Sequence, residues 1–275
     1  MSQQPVIAFI GAGNMARAII GGLLENGFSA ANIWAAEPDA ERLEDLAAQG
    51  LNTTTDNHAA VAAADLVVLA VKPQIMQAVA QDLAQSAQAH RPAFISIAAG
   101  ITLAALERWL GGNVALVRCM PNTPSLVQTG ASGLFANAHV SELQREQATQ
   151  VLQAVGIALW VQSEAELDAV TAVSGSGPAY YFLMMEAMTA AGVKLGLSET
   201  TARDLTLQTA LGASLMASSS DVDAAELRRR VTSPKGTTEQ AILTFQAEGL
   251  EATVEKAMTA CRDRAIALAN ELCKD

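Results

Sequence analysis

The chain has 275 residues, of which 51% are hydrophobic and only 16% are charged, and its length allows one large domain or two modest ones. Its net charge of −11 argues against nucleic acid and against an anionic membrane surface as partners, because both select clustered lysine and arginine. The longest apolar run, residues 92–106, includes Gly100 and Thr102 and falls short of the ~20 residues that a membrane span requires.

Strands and helices alternate through the first half of the chain. Short apolar runs predict strands at residues 6–10, 32–36, 66–71, 93–98 and 114–120. Helical spacing predicts helices at residues 14–26, 39–49, 73–86 and 102–110. This alternation indicates βαβ units, so we expect an α/β domain with a doubly wound, mostly parallel sheet.

The pattern changes near residue 163. Residues 133–136 and 158–162 predict two late strands around a helix at 141–155, and no convincing strand follows Glu166. Helices are predicted instead at residues 166–173, 178–192, 198–216, 223–230, 238–248 and 250–274. We therefore expect two domains, the α/β domain at residues 1–163 and an all-α domain at residues 164–275.

Two stretches of the second domain lack a polar face. The helix at 178–192 carries one charge, Glu186, and apolar side chains all round it, while residues 205–220 carry no charge. A helix without a polar face must be buried on every side, and a small helical domain offers few such positions. We infer that these helices interlock between the subunits of a dimer; a tightly packed monomeric bundle is the alternative.

A glycine-rich turn follows the first strand and opens the first helix. Its residues are Gly11, Ala12, Gly13, Asn14, Met15 and Ala16. The first glycine permits a tight turn, the second lets a pyrophosphate approach the backbone, and the small Ala16 lets the helix pack on the strand. The motif predicts a dinucleotide at the helix N-terminus; a plain glycine turn is the alternative.

Further candidates for the cofactor site stand where predicted strands end. Glu37 ends the second strand, where an acidic residue binds the adenosine ribose and repels a 2′-phosphate, which favours NAD(H). Arg42, one turn into the next helix, could counter that repulsion or face solvent. Ligands bind at the carboxyl ends of parallel strands, which adds Ala70, Val71, Lys72, Pro73, Ala98, Ala99 and Gly100.

Two loops of the second half combine glycines with hydroxyl residues. Residues 174–178, Ser-Gly-Ser-Gly-Pro, precede the apolar helix, and helix packing explains them as well as a binding role does. Residues 232–238, Thr-Ser-Pro-Lys-Gly-Thr-Thr, precede a helix that begins near Thr238, and Thr237 with Gln240 matches a capping box. Hydroxyls and free N–H groups at a helix start suit a small anion such as a carboxylate.

Metal and disulfide chemistry is not expected. The histidines His58, His90 and His139 and the cysteines Cys119, Cys261 and Cys273 stand far apart, without the spacing of a zinc site or a disulfide framework. We therefore expect no metal and a reduced, cytoplasmic location. No histidine stands beside a carboxylate as the acid–base group of a dehydrogenase.

Five motifs in order and spacing resemble those of the pyrroline-5-carboxylate reductases. They are the turn at 11–16, Ala-Val-Lys-Pro at 70–73, Met-Pro-Asn-Thr-Pro at 120–124, and the loops beginning at Ser174 and Thr232. The last two are specific, and the likeness covers residues 6–272. It implies a Rossmann domain for dinucleotide binding followed by an all-α substrate-binding and dimerisation domain, in an intertwined homodimer that is often assembled into a decamer.

The resemblance also implies an activity and a role for single residues. The activity is hydride transfer from NAD(P)H to the C=N bond of 1-pyrroline-5-carboxylate, which gives L-proline in the last step of proline biosynthesis. Thr238 would hydrogen-bond the ring nitrogen and supply its proton, and Ser233, Gly236 and Thr237 would hold the carboxylate. Glu164 would lie near the substrate, and Asn57 would join the residues that line the cofactor.

Three residues leave questions open within this resemblance. The family more often uses NADPH, which conflicts with Glu37, so we place NADP(H) first and keep NAD(H) open. Lys235 stands where the family usually has glycine and Arg230 where it often has asparagine, and either cation could alter substrate affinity or face solvent. The competing hypotheses are another two-domain reductase of a small oxo or imino acid, and a nicotinamide-binding regulator or pyridoxal-phosphate carrier without activity.

Overall fold

The computed structural model describes residues 4–274, which divide into two units by their contacts. The first unit runs to Ser176 and resumes at Cys261, and the second is Gly177–Ala260. The boundary predicted at residue 163 follows the end of the last strand. The division by contacts comes later, at Ser176, because the helical turns after that strand pack on the sheet. One packing contact explains this: a Cβ on Gly133 would lie 2.7 Å from Val170.

The first unit is built on one sheet of eight strands in the order β3-β2-β1-β4-β5-β6-β7-β8. The strands from β1 to β6 are parallel, β7 runs antiparallel to β6, and β8 runs parallel to β7. This confirms the doubly wound, mostly parallel sheet. The strands are β1 Ile7–Ile10, β2 Ile33–Ala36, β3 Asn52–Thr54, β4 Leu66–Leu69, β5 Ala93–Ser96, β6 Leu116–Met120, β7 Gly130–Ala136 and β8 Gly156–Trp160.

Helices cover both faces of this sheet. Alternate residues of β1 belong to different cores, Ile7 and Phe9 to one and Ala8 and Ile10 to the other, and all four are fully buried. This is the packing expected of a buried parallel strand. The helices before the second unit are α1 Asn14–Glu25, α2 Glu44–Ala48, α3 Asn57–Ala63, α4 Pro73–Asp82, α5 Ala84–His90, α6 Leu103–Trp109, α7 Glu142–Gln153 and α8 Glu166–Val170.

Some elements differ from the sequence-based prediction. Strand β3 and helix α3 were not expected, because Asn52–Thr54 has no apolar residue and α3 is a short alanine-rich segment. The single helices predicted at 39–49 and 73–86 are each divided in two. After α8 the helix widens to a π-turn at Thr171–Gly175, where Thr171 and Ser174 donate their hydroxyls to carbonyls four residues back, a bond that competes with regular helix geometry.

The remaining helices are those of the second unit and the C-terminal segment. No strand follows Glu166 among the residues described, as predicted, and none of the helices within 4–274 is long and apolar enough to cross a membrane. Helix α13 begins in the second unit, and its residues from Cys261 onward belong to the first. The helices are α9 Gly177–Lys194, α10 Glu199–Ser218, α11 Ala224–Arg230, α12 Thr237–Ala247 and α13 Leu250–Leu272.

Candidate active site

The turn after β1 is built around Gly11. Its φ is +96°, and a Cβ there would lie 3.1 Å from the backbone carbonyl of Ala70, so only glycine fits. The Gly11 N–H donates to the carbonyl of Ala36 at 2.8 Å, and the Ala70 N–H donates to that of Ile10 at 2.9 Å. These bonds tie together the ends of β1, β2 and β4, at the point where the strand order reverses and dinucleotides bind.

The N-terminus of α1 is open to an anion. Gly13 caps the helix without a side-chain hydrogen bond, so the N–H groups of the first turn are left for another acceptor. A Cβ on Gly13 would meet no atom within 4 Å, which means that there is free space above the backbone. Asn14 is exposed, while Ala16 is 1% exposed and packs into the core. The turn therefore fits a pyrophosphate group.

Glu37 lies at the end of β2 and is bonded on both carboxylate oxygens. Oε2 accepts from the backbone N–H of Ala12 at 3.0 Å, and Oε1 accepts from Arg42 at 3.1 Å. The Glu37 side chain is 14% exposed, against 53% for Arg42. Arg42 therefore pairs with Glu37 while about half of its side chain is exposed to solvent, so both of its predicted roles stay open.

The other cofactor candidates occupy the same edge of the sheet. Lys72 is exposed and caps α4, again without a side-chain hydrogen bond. Asn57 is the first residue of α3, which follows the carboxyl end of β3. All the residues proposed to line the cofactor thus belong to the first unit, namely 11–16, 37, 57, 70–73 and 98–100.

The loop after β5 is held by the C-terminal turn of the chain. Gly100 has a φ of +75°, and a Cβ on it would lie 3.3 Å from both Leu268 and Leu272. The Thr102 N–H points at the sulfur of Cys273 at 3.4 Å, and the Cys273 thiol points at the carbonyl of Gly100 at 3.4 Å. Residues far apart in the chain therefore support one segment of the candidate cofactor site.

Glu164 contacts the same loop from another side. Its Oε1 accepts from the Leu103 N–H at 2.8 Å and from Arg118 at 2.9 Å. Asp168 lies 3.8 Å from the same guanidinium. Burial raises the pKa of Asp168 above its usual value; the nearby Arg118 lowers it and Glu164 raises it further.

The loop before α12 gathers the residues predicted to bind the substrate. Ser233, Thr237 and Thr238 are exposed, and the Gly236 N–H donates to the carbonyl of Ser233 at 3.0 Å. A Cβ on Gly236 would lie 2.9 Å from that same carbonyl oxygen, so the turn requires glycine. The loop belongs to the second unit, whereas Glu164 belongs to the first.

The predicted capping box at this helix is wrong. Helix α12 begins at Thr237, its cap is Gly236, and no side chain caps it. Because Thr237 lies inside the first turn, its hydroxyl is not in the position of a cap, and Gln240 instead donates its backbone N–H to the carbonyl of Gly236 at 3.3 Å. The first-turn N–H groups therefore stay available to an anion.

The two cations singled out near this loop, Arg230 and Lys235, have different surroundings. Arg230 and Arg229 both pair with Glu226, at 2.9 and 2.6 Å, and their hydrogen bonds lower the pKa of Glu226 to about 2. Lys235 is exposed and has a φ of +58°, in the left-handed region that favours glycine. Its backbone N–H donates to Glu239 at 2.7 Å.

The Met-Pro-Asn-Thr-Pro and Ser-Gly-Ser-Gly motifs contact each other. The amide of Asn122, 8% exposed, donates to the carbonyl of Ser174 at 3.0 Å, and its oxygen accepts from the Ala131 N–H at 2.9 Å. A Cβ on Gly175 would lie 2.5 Å from Met120. Within the first unit these contacts support the packing explanation of residues 174–176.

Sequence reasoning missed the contribution of Arg118. The strand prediction treated residues 114–120 as an apolar run, yet Arg118 is a charge that is only 7% exposed. The signal in the sequence was one arginine among the apolar residues Leu116, Val117, Cys119 and Met120. A charge buried in such a strand requires a partner, so this arginine could have been recognised as part of a buried ion pair.

Within 4–274, no group of three or more histidine, cysteine, aspartate and glutamate residues is arranged to hold a metal ion.

Two family models match the chain. The one described as pyrroline-5-carboxylate reductase dimerisation matches residues 164–268, and the one described as coenzyme F420-dependent NADP oxidoreductase matches residues 6–100. The first match begins at the residue where the sequence predicts the all-α domain. Together they agree with a dinucleotide-binding N-terminal part and a C-terminal part that associates with itself.

Named relatives extend over the whole chain. It is 60% identical to the pyrroline-5-carboxylate reductase of Pseudomonas aeruginosa, with 98% of each chain covered, and 46% identical to that of Vibrio alginolyticus, with 94% of this chain and 96% of the relative covered. The structure of the Coxiella burnetii enzyme matches with a TM-score of 0.94 at 43% identity, covering 97% of this chain and 99% of the other. Plasmodium falciparum pyrroline carboxylate reductase with NADP bound matches with a TM-score of 0.84 at 28% identity, covering 96% and 98%.

Proposed function

The chain belongs to the pyrroline-5-carboxylate reductase family, and we propose on this basis that it reduces the C=N bond of 1-pyrroline-5-carboxylate to give L-proline. The observation that carries the proposal is the identity of 60% over 98% of the chain with a reductase of that name. The open glycine turn at the end of β1 supports it, because the reaction needs a dinucleotide. The enzyme is an oxidoreductase that acts at the last step of proline biosynthesis.

We propose NADP(H) as the preferred cofactor and keep NAD(H) as the alternative. A relative is described with NADP bound, and residues 6–100 match a model of NADP oxidoreductases. Against this stands Glu37, whose carboxylate would face a 2′-phosphate, although Arg42 at 3.1 Å offsets its charge. Gly11 to Ala16, Asn57, Ala70 to Pro73 and Ala98 to Gly100 line the site in this proposal.

The substrate carboxylate binds to the loop before α12. Ser233, Gly236 and Thr237 hold it through hydroxyl and N–H groups, supported by the missing side-chain cap of this helix and by the attraction of a helix N-terminus for anions. Glu164 is also assigned to substrate binding, as the resemblance implies. Lys235 adds a positive charge to this loop.

Thr238 donates a hydrogen bond to the ring nitrogen and supplies or relays its proton. The bound cofactor supplies the hydride, which is added to the carbon of the C=N bond while the nitrogen takes the proton. Protonation makes the imine a better hydride acceptor, so a hydroxyl and good positioning suffice. The structure does pair His58 with Asp82 and His139 with Glu107, each at 3.2 Å, contrary to the expectation that no histidine stands beside a carboxylate. None of these four residues is among those proposed to bind cofactor or substrate.

The second unit associates with a second copy of the chain. Large apolar side chains on α9 and α10 are exposed, which is unusual for a monomer and indicates an interface; they are Tyr181, Phe182, Leu183, Met188, Leu205, Leu207, Leu211 and Leu215. The dimerisation model over residues 164–268 agrees with this. A homodimer is the unit that we propose, with a decamer of five dimers as a further assembly, and a cytoplasmic location.

One assay tests the activity and the cofactor together. Purified protein is mixed with 1-pyrroline-5-carboxylate and either NADPH or NADH, and the loss of reduced nicotinamide is followed while the product is identified as proline. Proline formation supports the proposal, and the ratio of the two kcat/KM values assigns the cofactor. A folded oligomer without turnover with either cofactor contradicts it, and turnover of small oxo acids would then point to the alternative reductase.

A further inference from the structure

Arg118 is a buried charge on an inner strand of the sheet. It lies on β6, in register with Ser96 of β5 and Phe135 of β7, and is 7% exposed. A buried ion pair is often no more stabilising than apolar side chains of the same volume. The arginine therefore calls for an explanation other than the stability of the sheet.

Its partner carboxylate connects it to the loop after β5. Arg118 Nη1 donates to Glu164 Oε1 at 2.9 Å, and the same oxygen accepts from the Leu103 N–H at 2.8 Å. Leu103 is the first residue of α6 and stands three residues after Gly100, the end of the segment Ala98–Gly100. Because the guanidinium orients the carboxylate, it determines where this helix start lies.

The opposite side of the loop is fixed independently. Gly100 packs against Leu268 and Leu272, and Cys273 contacts both Thr102 and Gly100. The loop is thus held between the C-terminal turn on one side and Glu164 on the other. A loop held at both ends keeps its shape only while both supports are in place.

This loop belongs to the nicotinamide half of the cofactor site. Strand β1 borders the reversal of strand order, with β2 and Glu37 on its adenosine side and β4 and β5 on the other. A dinucleotide bound across this point would therefore have the loop after β5 beside the half that carries the hydride. A displacement of about 1 Å at such a place costs as much as ~100-fold in rate.

We propose that Arg118 is a positioning residue of the reductase: through Glu164 it holds the Leu103 N–H and thereby sets the Ala98–Gly100 loop against the nicotinamide half of the cofactor. Arg118 contacts neither cofactor nor substrate in this role. The inference rests on the proposed function, since it assigns a task at the same cofactor site. The proposal adds Arg118, a residue of the sheet interior, to the residues that set the rate of imine reduction.

The test compares Arg118→Met, Arg118→Lys and Glu164→Ala with Arg145→Met as the control. Arg145 is an arginine of the same unit whose guanidinium lies 3.8 Å from the Trp160 ring, and Trp160 is not part of the loop. We expect Arg118→Met to lower kcat/KM for the reduced cofactor by ~10–100-fold, with KM for the imine changed much less. Arg118→Lys should recover part of the loss, and Arg145→Met should match the wild type.

Coupling between the two residues is the decisive readout. If Arg118 acts through Glu164, the double variant Arg118→Met/Glu164→Ala loses no more than the worse single variant. Additive losses, or variants with normal kinetics and only a lower Tm, overturn the proposal. Should Arg118→Met fail to fold, Glu164→Ala decides alone through NADPH binding measured without substrate, because it removes the acceptor of the Leu103 N–H while Asp168, 3.8 Å away, still faces Arg118.

A direct binding measurement separates this inference from the activity. The dissociation constant for NADPH, measured by nicotinamide fluorescence without substrate, should rise in Arg118→Met and stay unchanged in Arg145→Met. A wild-type protein that binds NADPH but reduces no imine contradicts the proposed function alone. A wild-type protein that reduces the imine while the Arg118 and Glu164 variants bind and turn over normally contradicts the positioning role alone.

Discussion

The carboxylate of Glu37 accepts a hydrogen bond of 3.0 Å from the backbone N–H of Ala12. A residue at the end of β2 is thereby joined to the glycine turn at the end of β1, 25 positions earlier in the chain. The same carboxylate is paired with Arg42. The charge that would repel a 2′-phosphate in the proposed site and the charge that would attract it are therefore held together. Cofactor preference then depends on the balance between them.

Glu37→Gln should shift that balance toward NADPH. The amide can still accept from Ala12, but it neither repels a phosphate nor binds Arg42 as an ion. Two unit charges ~4 Å apart interact by about 1–4 kcal/mol near a protein surface, so we expect the ratio of kcat/KM for NADPH to that for NADH to rise ~10-fold or more. Steady-state kinetics with both cofactors measure it. Glu41→Gln, an exposed neighbour, is the control, and an unchanged ratio in Glu37→Gln refutes this reasoning.

Gly100→Ala should weaken cofactor binding and lower the Tm. A Cβ there meets Leu268 and Leu272 at 3.3 Å, and the φ of +75° costs an L-residue about 1–2 kcal/mol. We expect a Tm lower by about 2–8 °C and a raised KM for the cofactor, because the loop must shift. Gly21→Ala is the control, since a Cβ at that position of α1 meets no atom within 4 Å. Equal effects of both changes would show that the loop tolerates a side chain.

Thr238→Ala should lower kcat by ~10–100-fold, within or just below the usual range for a group that donates a proton. Thr238→Ser should retain most of the activity, because it keeps the hydroxyl. Thr244→Ala serves as the control on the same helix, where the Thr244 hydroxyl donates to the carbonyl of Gln240. Unchanged turnover in Thr238→Ala removes this residue from the mechanism.

Asp168→Asn should reduce the pH dependence of stability. Burial raises the pKa of Asp168 in the folded chain, so the folded state holds this proton more tightly than the unfolded state does. The free energy of unfolding therefore falls as the pH rises from the ordinary aspartate pKa of ~4 through the raised value. Urea titrations at several pH values should show a smaller fall in Asp168→Asn than in the wild type.

The control for this measurement is Asp263→Asn, whose side chain is 58% exposed. It should follow the wild type at every pH. If Asp168→Asn and the wild type differ by a constant amount across the range, the titration of Asp168 does not contribute to stability.

Much of the fold was predictable because its signals are local. The alternation of apolar strands with helices indicated the doubly wound sheet, and glycines such as Gly27 and Gly50, with φ of +80° and +88°, marked helix ends. The elements that were missed, β3 and α3, lack an apolar pattern, since Asn52–Thr54 forms a strand through its pairing with β2. Tertiary contacts stabilise β3 and α3, and no local sequence pattern indicates either element.

The motifs by themselves determined the family and the reaction, because glycine turns and hydroxyl loops have few other uses in this order and spacing. They also predict the residues that face cofactor and substrate. Only the tertiary structure shows which residues hold these motifs in place. Arg118 and Glu164 are 46 positions apart, and Gly100 and Cys273 are 173 apart, so no periodicity or spacing joins them. A buried charge finds its partner only when the chain has folded, and here that partner, Glu164, also accepts from the Leu103 N–H after the candidate cofactor loop.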